Sequence, residues 1–495
     1  MLTRLSVLIS RWMAARERLS YRIGGAVVGL LAGWAVLMAP GPVDLPDAAQ
    51  RTAAVAVVMA VWWVGGVFPL AVTALVPLIA FPALALGSVA DAARPFAHPL
   101  NFLMLGGFVL GHGIERVGLH KRLVGALLAP PWVRSSPRRV LLALMIVTAS
   151  LSGIVSNTAT TLMLLPVALA LAARCAEGHQ QSAFPLGLAY AASIGGVTTL
   201  VGTPPNAVLA QVAGDLAGVE VTFAAWMGVG VPFAVIALPI AWWVVSRVAI
   251  PLPTVPLTPI EAPARHEGIR GEGWVVAIVA TAMALWMTRR GVDLGFIALP
   301  GWGGLFGDAS LVHDAWVAIL AAACLFVVPG GDDRPLLRWP DVERAVPWSV
   351  LLLLGGGFSL AFFISDSGLT GWLAGRAQVL GEIPAPLAVL GVCLGMTFLT
   401  ELTSNTATTQ IAAPLLVAAA SQVGVDPMVW LVPATLSASC AFMMPVATAP
   451  NAIASEAGAV SPGDMALGGL VLNVVLAFVA AGTAWWLLPS AWLTS

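Results

Sequence analysis

The residues best suited to chemistry in this sequence lie in two identical polar hexapeptides, SNTATT, at 156–161 and 404–409. Their hydroxyl and amide oxygens, together with unwound backbone carbonyls, could replace the hydration shell of an alkali cation. Their hydroxyl and amide hydrogens could bind a carboxylate or another oxyanion at a helix N-terminus, where the helix dipole favours negative charge. Each hexapeptide could therefore hold a cation and an anion side by side.

A second pair of polar blocks follows the hexapeptides. GTPPNAV begins at Gly202 and ATAPNAI begins at Ala447, and each interrupts an apolar run with proline and asparagine. A continuous helix would lose backbone hydrogen bonds at these prolines, so we predict a helix break at each block. Earlier in the chain, LGGFVLGHGIERVGL from Leu105 resembles LGGGFSLAFFISDSGL from Leu354. The sequence therefore predicts two structural repeats, each with one hexapeptide and one break.

Basic side chains are absent around the polar blocks. No lysine or arginine occurs between residues 140 and 173, between 186 and 246, or between 377 and 495. An anion bound there would be neutralised by co-bound cations and by helix dipoles. Anion binding would then depend on the cation, which is a physical route to coupled transport.

The elements that must position these blocks are membrane-spanning helices. Of the 495 residues, 59% are hydrophobic and 9% are charged, whereas an average soluble domain is about 25% charged. Apolar runs of roughly 18 residues or more can cross a hydrocarbon core about 30 Å thick, so we predict an all-α polytopic membrane protein with about eleven transmembrane helices. The predicted spans are 24–40, 51–66, 68–88, 97–128, 185–213, 224–250, 272–290, 311–328, 346–379, 429–456 and 464–488.

Two further apolar stretches, 138–173 and 385–421, carry a hexapeptide near the middle. Each is too long for one crossing and too short for two crossings with a loop. We predict two re-entrant hairpins with the hexapeptides at their tips, because non-helical backbone at membrane depth is tolerated only where it lines a protein cavity. With an odd number of elements between equivalent positions, the second repeat would be inverted relative to the first. Many secondary transporters have this arrangement, with the site near the midplane.

The predicted organisation has four parts. They are an N-terminal interfacial segment (1–22) with the first span in residues 1–50, a first inverted repeat at 51–250, a cytoplasmic linker at 251–271 and a second inverted repeat at 272–488. Loops on one side of this arrangement hold most of the lysines and arginines, so the positive-inside rule places the N-terminus in the cytoplasm and the C-terminus outside. We expect a multi-pass protein of a plasma membrane, the inner membrane of a bacterium.

Other classes of protein fit these residues less well. The four cysteines stand singly, without the spacing of a metal site or a disulfide framework. The serines of the hexapeptides have no nearby histidine or lysine that could activate them, and HExxH is absent, so we expect no enzyme activity. Cation-type and anion-type groups at one level fit an occluded site better than the continuous pore of a channel.

The polar blocks resemble those of the divalent anion/sodium symporter family, which includes sodium-coupled dicarboxylate, citrate and sulfate transporters. The matched residues are Ser-Asn-Thr at 156–158 and 404–406, the GTPPN block and the ATAPN block. The resemblance covers both repeats. It implies a symporter of di-anionic substrates with Na⁺ as the coupling ion and no organic cofactor. It also implies a homodimer in which a transport domain moves like an elevator, and a lipid environment as the other partner.

The resemblance further implies which residues bind the ions and the substrate. The first sodium site would use Ser152, Ser156, Asn157 and the backbone at Gly202. The second sodium site would use Thr400, Thr403, Asn405 and the backbone at Ala447. The substrate carboxylates would be held by Asn157, Thr158, Asn405 and Thr406, with Thr203 and Thr448 close by. Ala449 stands where the family usually has a proline, and this departure bears on substrate selectivity.

Several alternatives stay open at this level. Two facing tips suit a two-ended C4 dicarboxylate such as succinate, malate or fumarate, but the same groups could hold sulfate or citrate. A sodium-independent dicarboxylate exchanger is a second mechanism. Glu401 lies three residues before Ser404, and a carboxyl group at membrane depth is a functional candidate. It could tune the cation, accept a proton or cap backbone at the tip.

Overall fold

The computed structural model describes residues 18–41, 44–256, 258, 270–293, 298–306, 311–331, 334–376, 383–457 and 460–486. Most of the predicted interfacial segment and most of the predicted linker lie outside the described residues. Six described helices are long and apolar enough to cross a membrane, or seven if one bent pair counts as a span. The chain is therefore a multi-pass helical membrane protein, and the total of eleven spans stays a prediction.

The elements up to residue 250 are helical. They are α1 (Leu19–Met38), α2 (Asp47–Gly65), α3 (Leu70–Thr73), α4 (Val76–Ala83), α5 (Val89–Ala93), α6 (Pro99–Arg116), α7 (Leu119–Leu128), α8 (Pro131–Arg134), α9 (Pro137–Ser152), α10 (Asn157–Cys175), α11 (Ala183–Gly196), α12 (Pro204–Ala217) and α13 (Phe223–Trp243). Short 3₁₀ turns cover Arg94–Ala97 and Gly178–Ser182, and a π-helical turn covers Val244–Ala249.

The elements after residue 270 repeat much of this order. They are α14 (Glu272–Thr288), β1 (Gly291–Asp293), β2 (Ala298–Pro300), a 3₁₀ turn (Trp302–Phe306), α15 (Asp314–Cys324), β3 (Pro329–Gly331), β4 (Arg334–Pro335), α16 (Trp339–Ala345), α17 (Trp348–Asp366), α18 (Leu369–Arg376), α19 (Ala385–Thr400), α20 (Asn405–Val423), α21 (Met428–Ala438), α22 (Ala449–Glu456) and α23 (Pro462–Trp486).

Several predicted spans are divided or shortened for local physical reasons. The predicted span 97–128 is two helices that meet at a bend of 64°. Gly118 causes this bend by adopting a φ of 68°, a backbone conformation that suits glycine, and Gly368 breaks the predicted span 346–379 in the same way with a φ of 79°. The predicted span 68–88 is divided into α3 and α4, and only the eleven residues of α15 are helical within 311–328.

Two smaller differences from the prediction concern the presence of strands and the start of the first span. The fold is not wholly α-helical, because β1 pairs with β2 and β3 pairs with β4 as short antiparallel ribbons. The first span begins at Leu19 and not at residue 24, so residues assigned to a surface segment belong to α1. Tyr21 holds this end of α1 in place by donating a hydrogen bond of 2.9 Å to Gly65 O.

Glycines allow the two halves of the chain to interlock. A Cβ atom at Gly106 of α6 would collide with the backbone of Ala318 in α15, and a Cβ atom at Gly356 of α17 would collide with the backbone of Ala74. These two glycines stand at equivalent places in the repeated segments that begin near Leu105 and Leu354. Each half therefore presents a glycine face to the other half where their backbones approach closely.

A buried ion network fastens α13, α14 and α15 at one end. The guanidinium of Arg289 lies 2.6 Å from the carboxylate of Asp314, and the side chain of each is about 3% exposed. Asp314 also accepts a hydrogen bond of 2.8 Å from the backbone N–H of Phe223, where α13 begins. The same arginine pairs with Glu220 at 2.6 Å. Because the charges of Arg289 and Asp314 are buried, they stabilise this end only while they stay paired.

We expect Asp314→Asn to lower the thermal stability of the purified protein markedly. The substitution removes the buried carboxylate that pairs with Arg289 and leaves only Glu220, whose side chain is 40% exposed, and breaking a buried pair costs about 3 kcal/mol or more. Thermal unfolding in detergent measures the change. Asp341→Asn is the matched control, because its partner Arg338 is 54% exposed and such surface pairs contribute about 1 kcal/mol or less. Equal unfolding temperatures for the two variants would contradict this role for the network.

Candidate functional site

The first hexapeptide lies where one helix ends and another begins. The last residue of α9 is Ser152 and the first residue of α10 is Asn157. The Ser152 hydroxyl lies 2.6 Å from Asn157 Oδ1 and 2.7 Å from Ala192 O of α11. Ser156 caps α10 by accepting a hydrogen bond of 3.3 Å from Ala159 N. This tip therefore gathers side-chain oxygens next to the exposed N–H groups of a helix N-terminus.

The second hexapeptide has the same construction. Helix α19 ends at Thr400 and α20 begins at Asn405. The Thr400 hydroxyl lies 2.6 Å from Asn405 Oδ1 and 3.0 Å from Ala438 O of α21. One difference is that the Thr403 and Thr408 hydroxyls hydrogen-bond to each other, whereas Ser404 makes no side-chain cap. Each tip therefore has a central asparagine whose Oδ1 pairs with a hydroxyl at the end of the preceding helix.

The asparagine side chains of the two predicted helix breaks make equivalent hydrogen bonds. Helix α11 ends at Gly196 and α12 begins at Pro204, while α21 ends at Ala438 and α22 begins at Ala449. In the first break, the side-chain amide of Asn206 donates to Gly196 O at 3.1 Å and to Thr199 O at 2.7 Å.

In the second break, the side-chain amide of Asn451 donates to Ala441 O and to Met444 O, both at 3.0 Å. Thr448 caps α22 by accepting a hydrogen bond of 3.3 Å from Asn451 N. Each asparagine thus bonds one carbonyl 10 residues before it and one 7 residues before it, and these bonds hold the unwound segment against the start of the next helix.

Both tips and both breaks line one cavity of about 680 Å³. All six predicted substrate-binding residues are in its lining, namely Asn157, Thr158, Thr203, Asn405, Thr406 and Thr448. Of the residues predicted for sodium, Ser156, Gly202, Thr403 and Ala447 also line it. Ser152 and Thr400 do not line the cavity, and each stands behind the asparagine that it contacts. The structure therefore brings residues separated by about 250 positions in sequence into one site.

The cavity is also lined by apolar residues outside the tips and breaks, which were not foreseen from the sequence. Trp63 lies near the end of α2, Phe68 in the turn before α3 and Leu70 at the start of α3. Pro347 and Val350 come from the start of α17. These residues carry no polar signal within their apolar runs, so only the tertiary structure reveals them. Their side chains offer a carboxylate no free hydrogen-bond donor, because the indole N–H of Trp63 donates to Leu70 O at 3.2 Å.

The electrostatics of the cavity come from neutral groups. No charged side chain is found among its described lining residues. Four helices, α10, α12, α20 and α22, begin at or next to the lining residues, and their N-termini carry partial positive charge. Helices α9 and α19 end beside the same tips, so unpaired carbonyls are also available there. The arrangement can bind an oxyanion through N–H and hydroxyl groups and bind a cation through oxygens.

Glu401 lies behind the second tip and is 1% exposed. Its carboxylate accepts hydrogen bonds from Met443 N at 2.8 Å, from Met444 N at 3.0 Å and from Asn473 Nδ2 at 2.6 Å. Of the roles considered from the sequence, the structure therefore shows the capping of backbone. It caps the second break, however, and not the backbone of its own tip.

Known proteins resemble the chain over almost its full length. A family model described as citrate transporter matches residues 54–435. The sodium-dependent dicarboxylate transporter SdcS of Staphylococcus saprophyticus is 33% identical over 497 residues, which cover 96% of this chain and 93% of the relative. A protein of the same name from Staphylococcus aureus is 33% identical over 485 residues, which cover 94% of this chain and 91% of the relative.

One solved structure shows a related fold. The YdaH transporter of Alcanivorax borkumensis, described as having an unusual topology, matches with a TM-score of 0.59 at 16% sequence identity. The match covers 83% of this chain and 91% of that chain. At this identity the likeness concerns the fold alone.

Proposed function

The chain belongs to the divalent anion/sodium symporter family of membrane transporters, and from this premise we propose that it takes up C4 dicarboxylates such as succinate, malate and fumarate together with sodium ions. The observation that carries the proposal is the cavity between the two tips, which offers amides, hydroxyls and helix N-termini and has no charged side chain among the described residues that line it. A dianion there needs co-bound cations to neutralise it, so its uptake would follow the sodium gradient.

The proposed sodium sites lie one at each tip. Their proposed ligands are Ser152, Ser156, Asn157 and the backbone at Gly202 for the first, and Thr400, Thr403, Asn405 and the backbone at Ala447 for the second. In each site a hydroxyl already lies 2.6 Å from the asparagine Oδ1, so two oxygens stand together where a cation could bind both. Na⁺ is the coupling ion in this proposal, and no organic cofactor takes part.

The proposed substrate lies between the tips. Asn157 and Thr158 would hold one carboxylate, and Asn405 and Thr406 would hold the other, near the N-termini of α10 and α20. Thr203 and Thr448 would approach from the N-termini of α12 and α22. Two facing pairs of this kind suit a molecule with a carboxylate at each end.

Citrate is the second candidate substrate. The description of the matching family as citrate transporter favours it, and a cavity of about 680 Å³ is large enough for a third carboxylate. Sulfate, and sodium-independent exchange of dicarboxylates, are further alternatives that the transport experiment separates.

The proposed architecture has inverted repeats at 51–250 and 272–488, with re-entrant hairpins at 138–173 and 385–421. The proposed protein is a homodimer in a bacterial inner membrane, with the N-terminus inside and the C-terminus outside, and moves its site across the membrane like an elevator. The α2–α3 turn and the start of α17 contribute apolar residues to the cavity lining. Both segments fall on the predicted cytoplasmic side, so the cavity would open toward the cytoplasm.

Uptake of labelled succinate into proteoliposomes tests the proposal. We expect an inward sodium gradient to drive uptake and an equal potassium gradient to fail, with excess unlabelled fumarate competing strongly. Stronger competition by citrate would change the substrate to citrate, and competition by sulfate alone would change it to sulfate. Uptake that ignores sodium but needs internal dicarboxylate would contradict symport and identify an exchanger.

A further inference from the structure

A buried polar network connects the second helix break to the first half of the chain. Tyr190 of α11 is 0% exposed, and its hydroxyl donates a hydrogen bond of 2.7 Å to Phe442 O in the second break. The two rings also pack edge to face, with centroids 4.9 Å apart. Tyr190 and Phe442 are 252 positions apart in sequence, so this contact joins the two proposed repeats.

The network continues from Phe442 to Glu401. The backbone N–H of Phe442 donates to Asn473 Oδ1 at 3.3 Å, and Asn473 Nδ2 donates to Glu401 Oε1 at 2.6 Å. Glu401 then accepts the N–H groups of Met443 and Met444. Side chains from α11, α23 and the second tip therefore bond Phe442 O and the N–H groups of residues 442–444. These backbone groups lie in the unwound segment and have no helical partners.

The first break lacks this arrangement. Its equivalent carbonyl, Val197 O, accepts a hydrogen bond of 2.8 Å from Trp226 of α13, which belongs to the same half of the chain. The position equivalent to Glu401, three residues before the hexapeptide, is Gly153, and its carbonyl accepts a hydrogen bond from the Thr199 hydroxyl. The first break is thus fixed by its own half, whereas the second break depends on Tyr190 from the other half.

The helix that carries Tyr190 also touches the first tip. Ala192 O of α11 lies 2.7 Å from the Ser152 hydroxyl, and a Cβ atom at Gly196 would collide with the side chain of Asn157. A cation that draws in Ser152 and Asn157 would therefore act on α11. Tyr190 would pass that displacement to Phe442, and the same unwound segment carries Ala447, the backbone ligand proposed for the second cation.

We propose that Tyr190, Asn473 and Glu401 are positioning residues that couple the two cation sites, so that occupation of the first site arranges the backbone of the second. This inference rests on the proposed function, because it takes the two tips as sodium sites. A buried carboxylate without a cationic partner among the described residues is costly unless its hydrogen bonds are made, which favours one fixed geometry for the network. Coupling of this kind makes sodium activation cooperative.

Tyr190→Phe is the direct test, because it removes one hydroxyl and keeps the ring that packs on Phe442. We expect the sodium concentration for half-maximal succinate uptake to rise about fivefold, the effect of one ordinary hydrogen bond, and the Hill coefficient for sodium to fall toward 1. The KM for succinate at saturating sodium should stay within about twofold of the wild-type value, since Tyr190 does not line the cavity.

Tyr21→Phe is the matched control. These are the two tyrosines of the chain, and Tyr21 also donates its hydroxyl to a backbone carbonyl, Gly65 O, but at the N-terminal end of α1. Its sodium activation should equal that of the wild type. A double variant, Tyr190→Phe with Asn473→Ala, should change sodium activation by less than the product of the two single effects, because both residues act through Phe442.

A sodium activation curve for Tyr190→Phe that equals the Tyr21→Phe curve would overturn the inference, and so would effects of Tyr190→Phe and Asn473→Ala that multiply. Wild-type uptake that ignores sodium would instead overturn the proposed function. In that case, backbone hydrogen exchange at residues 439–448 still tests whether the network positions this segment. Faster exchange in Tyr190→Phe than in Tyr21→Phe would show that the network holds this segment, and equal exchange would overturn it.

Discussion

Replacing Asn157 or Asn405 by alanine is expected to lower sodium-driven uptake about 100-fold. Each side chain is proposed to bind both a sodium ion and a substrate carboxylate, and two lost hydrogen bonds or ligand contacts to charged groups together account for a loss of this size. The structure supports equal effects at the two positions, because each Oδ1 lies 2.6 Å from one hydroxyl and each residue begins a helix. Initial rates of succinate uptake into proteoliposomes measure the change.

Thr161→Val and Thr409→Val are the matched controls for the asparagines. Their hydroxyls donate to the backbone carbonyls Asn157 O at 2.7 Å and Asn405 O at 2.8 Å, so both lie in the first turns after the tips. Neither threonine lines the cavity, and we expect uptake within about threefold of the wild-type rate for each. Uptake that survives Asn157→Ala but is lost in Thr161→Val would mean that the tip is structural and does not bind the transported species.

Gly195→Ala is expected to produce the largest loss of stability among single-methyl additions around the first tip. A Cβ atom at Gly195 would overlap the backbone O, Cα and C atoms of Ala149 in α9, and backbone cannot rotate away as a flexible side chain can. Helix α11 would have to separate from the hairpin arm, which we expect to cost about 3 kcal/mol or more. Thermal unfolding of the detergent-solubilised protein measures the loss.

Gly395→Ala is the control for this prediction. Gly395 is an exposed residue of α19, the corresponding arm of the other predicted hairpin, and a Cβ atom there has no neighbour within 4 Å. Alanine favours a helix over glycine by roughly 1 kcal/mol, so the control should be neutral or slightly more stable. If Gly195→Ala unfolds at the same temperature as Gly395→Ala, α9 and α11 do not pack as closely as the structure shows.

The positions of the tips and breaks could be predicted from sequence because they depend on local chemistry. The identical hexapeptides mark the ends of α9 and α19, and the prolines that begin α12 mark a place where a helix cannot continue. The repeat in the sequence also led to the match between Asn157 and Asn405. Whether the two hairpins re-enter the membrane from opposite sides remains a prediction.

What the sequence could not reveal depends on contacts between distant residues. Glu401 was recognised as unusual, but its partner Asn473 is 72 positions away and lies in an ordinary apolar run. Tyr190 gave no signal, because one tyrosine in an apolar helix is typical of a packed core. The bends at Gly118 and Gly368 were missed because a glycine φ cannot be read from hydropathy, although charged residues such as Glu115, Lys121 and Asp366 lie close to them.

Equilibrium binding by the purified protein tests the central claim most directly. Succinate binding is measured over a range of sodium concentrations, and sodium binding is measured over a range of succinate concentrations. If one cavity holds succinate and two sodium ions, saturating sodium must lower the Kd of succinate by the product of the factors by which succinate lowers the Kd values of the two sodium ions, because the coupling is reciprocal. We expect this product to exceed about tenfold and to be lost in Asn157→Ala and Asn405→Ala. A succinate Kd that is the same with sodium or potassium would contradict the claim.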